Sequence, residues 1–349
     1  MRPEEWKGWK RVLVIKLRYI GDVLITTPFI RALKENLPHA EISALVPAGT
    51  EAVLEGNPGL AQIIPYEKSI GIGNDLRVIQ RLRDNKYDVC FDLSDADRSA
   101  WLGFFSGARY RFGFEGGGVL RKKNLYTQAI PPPPLRTHQV DRNLYLAESI
   151  GMAVGDRSLS LCLSYEELEK GQAILRSAGL VSQQPYVVVH AAARTLFKSW
   201  PAERFTVIAD RLHSAGYQVV LTGSEKDRAM VRPIADRMAK PAIDLTGKTN
   251  LRQLASVIQG ARLFVGNDSG PMHIASAVGT PVVALFGPTD WESWYPRGNN
   301  DTFFSKEIDC RPCGHANDCD RGEQSCMALI TLEEVWEAVL QRLVISAKG

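Results

Sequence analysis

Two loops at strand ends constrain this chain more than any other feature. Lys16-Leu17-Arg18-Tyr19-Ile20-Gly21-Asp22 closes an apolar run over residues 11–16, and Gly266-Asn267-Asp268-Ser269-Gly270-Pro271-Met272-His273 closes another over 263–266. Each stands where an α/β sheet delivers chain to its carboxyl edge, the place where such sheets hold ligands. One loop offers a carboxylate beside a glycine. The other offers a carboxylate followed by small residues that open a helix. The pair predicts a cleft with a base on one wall and an anion cradle on the other.

The rest of the chain reads as two α/β halves. Strand patterns over 11–16, 41–46 and 87–93 alternate with helical patterns over 28–36 and 76–85, and that alternation argues for a parallel sheet covered on both faces. Pro131 to Pro134 excludes helix and ladder donors and reads as a loop. A helix over 138–150 follows, and the small and polar residues of 151–158 read as the linker between halves. Strands over 185–190, 217–222, 263–266 and 281–286 rebuild the pattern, with Pro201 opening a helix that Gly216 ends. Thr331 and Glu334 form a capping box for a last amphipathic helix.

Composition narrows the function classes. A chain of 349 residues exceeds one ordinary core, and 45% hydrophobic with 23% charged residues is globular usage. A net charge of +3 does not imply a nucleic-acid partner. No apolar run reaches the roughly 18 residues that span a bilayer, and the first residues lack a signal-peptide core, so a cytoplasmic location is expected. Cys90 and Cys162 sit in apolar stretches. Cys310, Cys313, Cys319 and Cys326 cluster and could close a structural zinc site, although the spacing is not that of a zinc ribbon; a disulfide or a packed thiol-rich loop is the other reading.

Each chemistry-bearing residue has a plain alternative. Asp22 is either a general base at a cleft edge or a helix cap. Lys198, just ahead of the helix that Pro201 opens, is either a point charge for a diphosphate or a solvated lysine, and Arg194 shares the ambiguity. Ser269 and Gly270 open a helix whose free N–H groups suit phosphate. Asp268 beside such a site suits sugar hydroxyls or the loop itself, and His273 is either a ligand contact or a packed histidine. Glu225 ends a strand where acidic residues bind ribose in nucleotide folds. No G-x-G-x-x-G follows the first strand and no P-loop motif is present.

Taken together, K-L-R-Y-I-G-D-V-L-I-T-T-P, H-A-A-A-R-T-L-F-K-S-W-P, L-T-G-S-E and G-N-D-S-G-P-M-H-I-A-S-A-V-G-T-P resemble the ADP-heptose:lipopolysaccharide heptosyltransferases, glycosyltransferase family 9. The resemblance runs from Val12 to about Leu343. Arg18-Tyr19-Ile20 and Phe197-Lys198-Ser199-Trp200 look most like the branch that decorates the second inner-core heptose, the third heptosyltransferase. It implies an α/β GT-B fold of two Rossmann-like domains facing across a cleft: residues 1–155 for the acceptor, 156–330 for the nucleotide-sugar donor, and 331–349 as a helix packing back on the first domain. It also implies inversion at the anomeric carbon, no required cofactor or catalytic metal, and ADP-heptose as donor. By resemblance Asp22 is the catalytic base, Lys198 contacts the donor diphosphate, Glu225 lies near ribose, and Asp268, Ser269, Gly270 and His273 form the donor loop with Asp268 near the heptose.

The implied partners are the nucleotide sugar and an acidic lipopolysaccharide inner-core acceptor. Arginines of the first domain are acceptor candidates, Arg18, Arg98 and Arg121 foremost, with Arg109, Arg111, Lys122, Lys123 and Arg136 beside them. Arg2, Trp6, Lys7, Trp9, Lys10 and Arg11 mix aromatic and basic residues as interfacial anchors do, and predict peripheral attachment to the inner face of the inner membrane. The competing readings are a related GT-B transferase with another donor or acceptor, an epimerase of the same shape, and a non-catalytic saccharide-binding homologue.

Overall fold

The computed structural model describes residues 6–67, 73–116, 124–181, 184–311, 313, 319 and 321–346. The chain divides into two compact units, Met1–Cys162 and Leu163–Gly349. In the first, β1 (Arg11–Ile15) leads through α1 (Ile20–Leu24) and α2 (Thr27–Asn36) to β2 (Glu41–Pro47) and β3 (Gln62–Tyr66). Then come α3 (Gly73–Asp84), β4 (Val89–Asp92), α4 (Asp97–Phe105), β5 (Tyr110–Phe114), β6 (Gln128–Ile130) and α5 (Gln139–Glu148). All pairings are parallel, in the order β3-β2-β1-β4-β5-β6. The central strands are buried nearly end to end, as strands covered on both faces must be.

The second unit begins with α6 (Tyr165–Ser177) and β7 (Tyr186–His190), followed by α7 (Ala202–Ser214), β8 (Gln218–Leu221), α8 (Arg228–Ala235) and β9 (Ile243–Asp244). It continues with α9 (Leu251–Gln259), β10 (Leu263–Asn267), α10 (Gly270–Ala277), β11 (Val282–Phe286), α11 (Trp291–Trp294), β12 (Thr302–Ser305) and α12 (Leu332–Ser346). Its order, β12-β11-β10-β7-β8-β9, is again all parallel and repeats the winding of the first sheet. In each unit the chain builds outward from the first strand, then returns to place the fourth strand on its other side. That reversal is the topological switch point of a Rossmann sheet, and ligands bind outside the strand ends there. It falls at β1/β4 in the first unit and at β7/β10 in the second.

Several expectations change. The outer strands β3, β5, β6, β9 and β12 are absent from the sequence reading, because they are short and half-buried and carry no long apolar run. The segment 151–158, read as a linker, is tied to α2. Arg31 Nη1 donates to Asp156 Oδ2 at 2.7 Å and to Ser158 O at 3.0 Å, Asn36 Nδ2 donates to Ala153 O at 2.7 Å, and Ser160 N donates to Thr27 Oγ1 at 3.2 Å. The boundary therefore follows Cys162 rather than residue 155. The last helix, expected over the first domain, has its buried face in the second: Val335, Val339 and Leu343 join the core that holds Val265 and Leu285.

The N-terminal anchor is also corrected. Trp6 and Trp9 are 5% and 3% exposed. Trp6 Nε1 donates to Ile150 O at 3.1 Å, and the Trp9 ring packs against Phe91, Tyr110 and Phe112 with centroids 5.6–6.1 Å apart. These aromatics are core, because a ring buried beside three others gains more than one held at a lipid interface. No described helix is long and apolar enough to cross a membrane. Replacing Trp9→Ala should cost the first unit about 3–5 kcal/mol, read as a lowered urea midpoint.

Candidate functional site

At the first switch point, the chain leaving β1 runs straight into α1, which carries Asp22 in its first turn. The Asp22 carboxylate is 14% exposed and lies 3.9 Å from Lys16 Nζ. Lys16 is buried and donates to Leu93 O at 2.8 Å, so it braces the end of β1 against the end of β4. Burial pushes its ammonium down, and the Asp22 carboxylate opposes that. The arrangement gives Asp22 a fixed cationic neighbour while leaving an edge open to solvent.

Beside it, Asp92 closes β4 and accepts from Ser99 Oγ at 2.7 Å, Tyr126 Oη at 2.8 Å and its neighbour's amide, Ser94 N, at 2.8 Å. The Tyr126 ring reaches Asp92 across Gly113, where a Cβ would stand 2.3 Å from the ring. A cavity of about 760 Å3 opens at this edge, lined by Leu17, Arg18, Pro47, Tyr66, Arg98 and Ser99 among others. Arg18 is exposed and donates through Nε to Ser94 O at 3.2 Å. Arg98 donates to Tyr66 Oη at 3.0 Å, and Tyr66 donates to Asp75 at 2.5 Å. Burial, with that bond to Asp75, pushes the Tyr66 phenol up to about 12, so it stays a donor at neutral pH. Arg18 and Arg98 thus share one cavity, whereas Arg121, Lys122 and Lys123 lie outside the described residues, as does Arg2.

At the second switch point, β7 runs into a loop whose short turn, Leu196–Lys198, precedes α7. Lys198 Nζ donates to Thr289 Oγ1 at 3.0 Å. Arg311 Nη2 in turn donates to Thr289 O at 2.7 Å. The loop is held by Asn267, fully buried at the end of β10. Its Nδ2 donates to Ala191 O at 2.7 Å and to Ser199 Oγ at 3.2 Å, while its Oδ1 accepts from Trp200 N at 3.1 Å. Neither Asn267 nor Thr289 was singled out from sequence, and a polar residue ending an otherwise apolar strand was the available signal for the first.

The donor-loop candidates fall where expected along the chain. Ser269 caps α10 and Gly270 opens it with Pro271 in the first turn. Ser269 Oγ is buried with no partner, and so are Thr195 Oγ1 in the Lys198 loop and Thr246 Oγ1 after β9. Buried hydroxyls normally find partners, and these three all follow strands at the same edge of the sheet. Asp268 N donates to Leu285 O at 3.0 Å, which fixes the loop. His273 is buried with Trp294 6.3 Å away, so it packs inside the unit. Glu225 is exposed and pairs with Arg228 at 2.5 Å, and that hydrogen bond lowers its carboxyl.

Among the described residues no disulfide joins the cysteines: Cys90 and Cys326 are buried, and Cys162, Cys310, Cys313 and Cys319 are intermediate. Among the described residues no three His, Cys, Asp or Glu side chains are arranged to hold a metal ion.

Two outcomes are expected of this edge. Asn267→Ala strands the Trp200 amide, at about 1–3 kcal/mol for a buried group left unpaired, leaves the Ala191 carbonyl to Ser199 Oγ, and should lower both the thermal midpoint and turnover. His190, behind the loop, bonds Thr222 Oγ1 at 3.0 Å, and burial pushes its imidazole down to about 4 from an ordinary 6.5. Between those values the unfolded chain binds a proton that the folded chain refuses, so stability falls as pH falls through the window. Urea midpoints at pH 7 and pH 4.5 should reveal a loss of about 2–3 kcal/mol, largely absent in His190→Gln.

Comparison with known proteins agrees with this architecture. A family description, glycosyltransferase family 9 (heptosyltransferase), matches residues 76–322. The chain is 37% identical over 298 residues to lipopolysaccharide heptosyltransferase 3 of Escherichia coli K12, covering 81% of this chain and 84% of that protein. The crystal structure of a family 9 glycosyl transferase from Veillonella parvula superimposes with a TM-score of 0.85 at 26% identity, covering 96% of this chain and 97% of that one. That of the E. coli ADP-heptose heptosyltransferase II gives 0.80 at 26% identity, covering 97% and 99%. The fold is GT-B, built of two Rossmann-like units, and the chain belongs to glycosyltransferase family 9, the heptosyltransferases.

Proposed function

We propose that this chain moves L-glycero-D-manno-heptose from ADP-heptose onto the inner core of lipopolysaccharide, as a third heptosyltransferase does, with inversion at the anomeric carbon. The supporting observation is that Asp22 and the Lys198 and Ser269 loops occupy the strand ends of the two switch points, where such sheets bind ligands. The likeness to lipopolysaccharide heptosyltransferase 3 supports the choice of donor and acceptor.

In this reading the acceptor hydroxyl oxygen attacks the anomeric carbon while its proton passes to the Asp22 carboxylate. The bond from that carbon to the β-phosphate oxygen breaks, and its electrons leave with ADP. Negative charge grows on the diphosphate as the bond lengthens, so a cation and a helix N-terminus placed there stabilise the transition state more than the ground state. Lys198 supplies the cation. The amides of α10 and the unpartnered Ser269 hydroxyl supply donors, Asp268 meets sugar hydroxyls, and Glu225 serves ribose, with His273 holding the loop from behind. Arg18 and Arg98 meet the acid groups of the acceptor. ADP-heptose is a substrate, and no cofactor enters the scheme.

ADP release from ADP-heptose, with and without inner-core acceptor, tests this. The native chain should release ADP only with acceptor, and Asp22→Asn should lower turnover by roughly 100- to 10,000-fold. Lys198→Ala should lower kcat more than it raises KM, and an unchanged kcat would remove Lys198 from the leaving-group role. No release from ADP-heptose by the native chain would transfer the reading to another nucleotide sugar.

A further inference from the structure

Trp6 and Trp9 are buried and so do not offer their rings to a lipid surface, but the first unit exposes a different aromatic and basic surface. Trp101, Phe104 and Phe105, on the last turns of α4, are 37%, 39% and 40% exposed. They form one cluster: Trp101 stacks on Phe105 at 5.4 Å, and Phe104 meets Trp101 and Phe105 edge-on at 6.1 and 5.3 Å. Three large rings sharing one water-facing patch is the kind of surface that marks an interaction site, whereas scattered single hydrophobics are ordinary.

The surroundings are basic. Helix α3 packs beside α4 and adds Leu76, 58% exposed, with Arg77, Arg81 and Arg83 all exposed. Arg111 lies 5.3 Å over the Phe104 ring, and exposed Arg109 sits over Tyr110. Along α3, α4 and residues 109–114 the sequence carries Arg77, Arg81, Arg83, Arg98, Arg109 and Arg111 against Asp75, Asp84 and Asp97 as its acids. Exposed tryptophan and phenylalanine among arginines match the headgroup layer of a bilayer, where rings enter the acyl boundary and guanidinium groups meet lipid phosphates.

We infer that the outer face of α3 and α4 docks the first unit on an anionic phospholipid surface. The position of this face fits the chemistry at the edge of the sheet. Arg98 and Ser99, in the first turn of α4, line the 760 Å3 cavity, and the aromatic cluster begins at Trp101, less than one turn further on, and ends at Phe105, roughly 10 Å along the helix from Arg98. One rigid helix therefore joins the lipid-facing patch to the cavity that the proposed lipid-borne acceptor enters. The surface argument itself does not depend on that acceptor.

Flotation tests this with no substrate present, using vesicles of phosphatidylcholine alone or with one quarter phosphatidylglycerol. The native chain should float with the anionic vesicles and stay behind with the neutral ones. Trp101→Ser/Phe104→Ser/Phe105→Ser should abolish flotation. Arg77→Gln/Arg81→Gln/Arg83→Gln, which leaves the rings untouched, should weaken it about 100-fold, the effect of three basic residues at such a surface. Both variants should keep native transfer to a delipidated, water-soluble acceptor, which separates failure of docking from failure of the transferase reading. Native flotation by the variants, no flotation by the native chain, or equal recovery with neutral vesicles would overturn the inference. So would a dimer in light scattering that the triple serine variant dissolves, since that would assign the face to a second copy.

Discussion

The second unit depends on what Asn267 does at the end of β10. A switch point sends the chain from two neighbouring strands to opposite faces, so no backbone ladder joins the loops that leave it, yet their peptide groups are buried and need partners. Asn267 meets that need with one amide, bonding Ala191, Ser199 and Trp200 on the loop from the adjacent strand. Lys16 solves the same problem in the first unit from the other side, reaching from the first strand to Leu93 beyond the fourth. One brace is neutral and the other charged. That difference suits the groups beside each brace: the Asp22 carboxylate beside the ammonium, and a carbonyl, an amide and a hydroxyl beside the carboxamide.

The electrostatics of the two edges are opposed. The first keeps an acid next to a buried cation and surrounds its cavity with guanidinium groups. The second keeps Lys198 on the neutral hydroxyl of Thr289, and it holds buried hydroxyls with no hydrogen-bond partner. An unsatisfied buried hydroxyl is costly in the free protein. A ligand that satisfied several at once would recover that cost on binding.

Much of this was legible before the fold was known. The strands of both switch points carry unbroken apolar runs, so β1, β4, β7 and β10 were readable, and with them the loops bearing Asp22, Lys198 and Ser269. The outer strands were not, since β6 and β9 are three and two residues long and their pairing is decided by neighbours far away in sequence. Trp6 and Trp9 misled because a tryptophan among lysines reads alike whether its ring faces lipid or core, and only the position of Phe91 and Phe112 decides. Residues 151–158 misled for a related reason. Small polar residues signal a break in periodicity, but their hydrogen bonds to Arg31 and Asn36 are long-range facts.

Gly266 bears on how such a protein can vary. A Cβ at this position would stand 2.6 Å from the carbonyl oxygen of His190, so β7 and β10 leave no room for a side chain where the two site loops depart. Any side chain there would pry the strands apart and displace both loops together. Sequence drift is therefore free to act on the loops one at a time, through Lys198 or Ser269 or Thr289, while the strand junction beneath them admits no side chain. A strict limit on the second unit is thus set by an atom that the chain does not have.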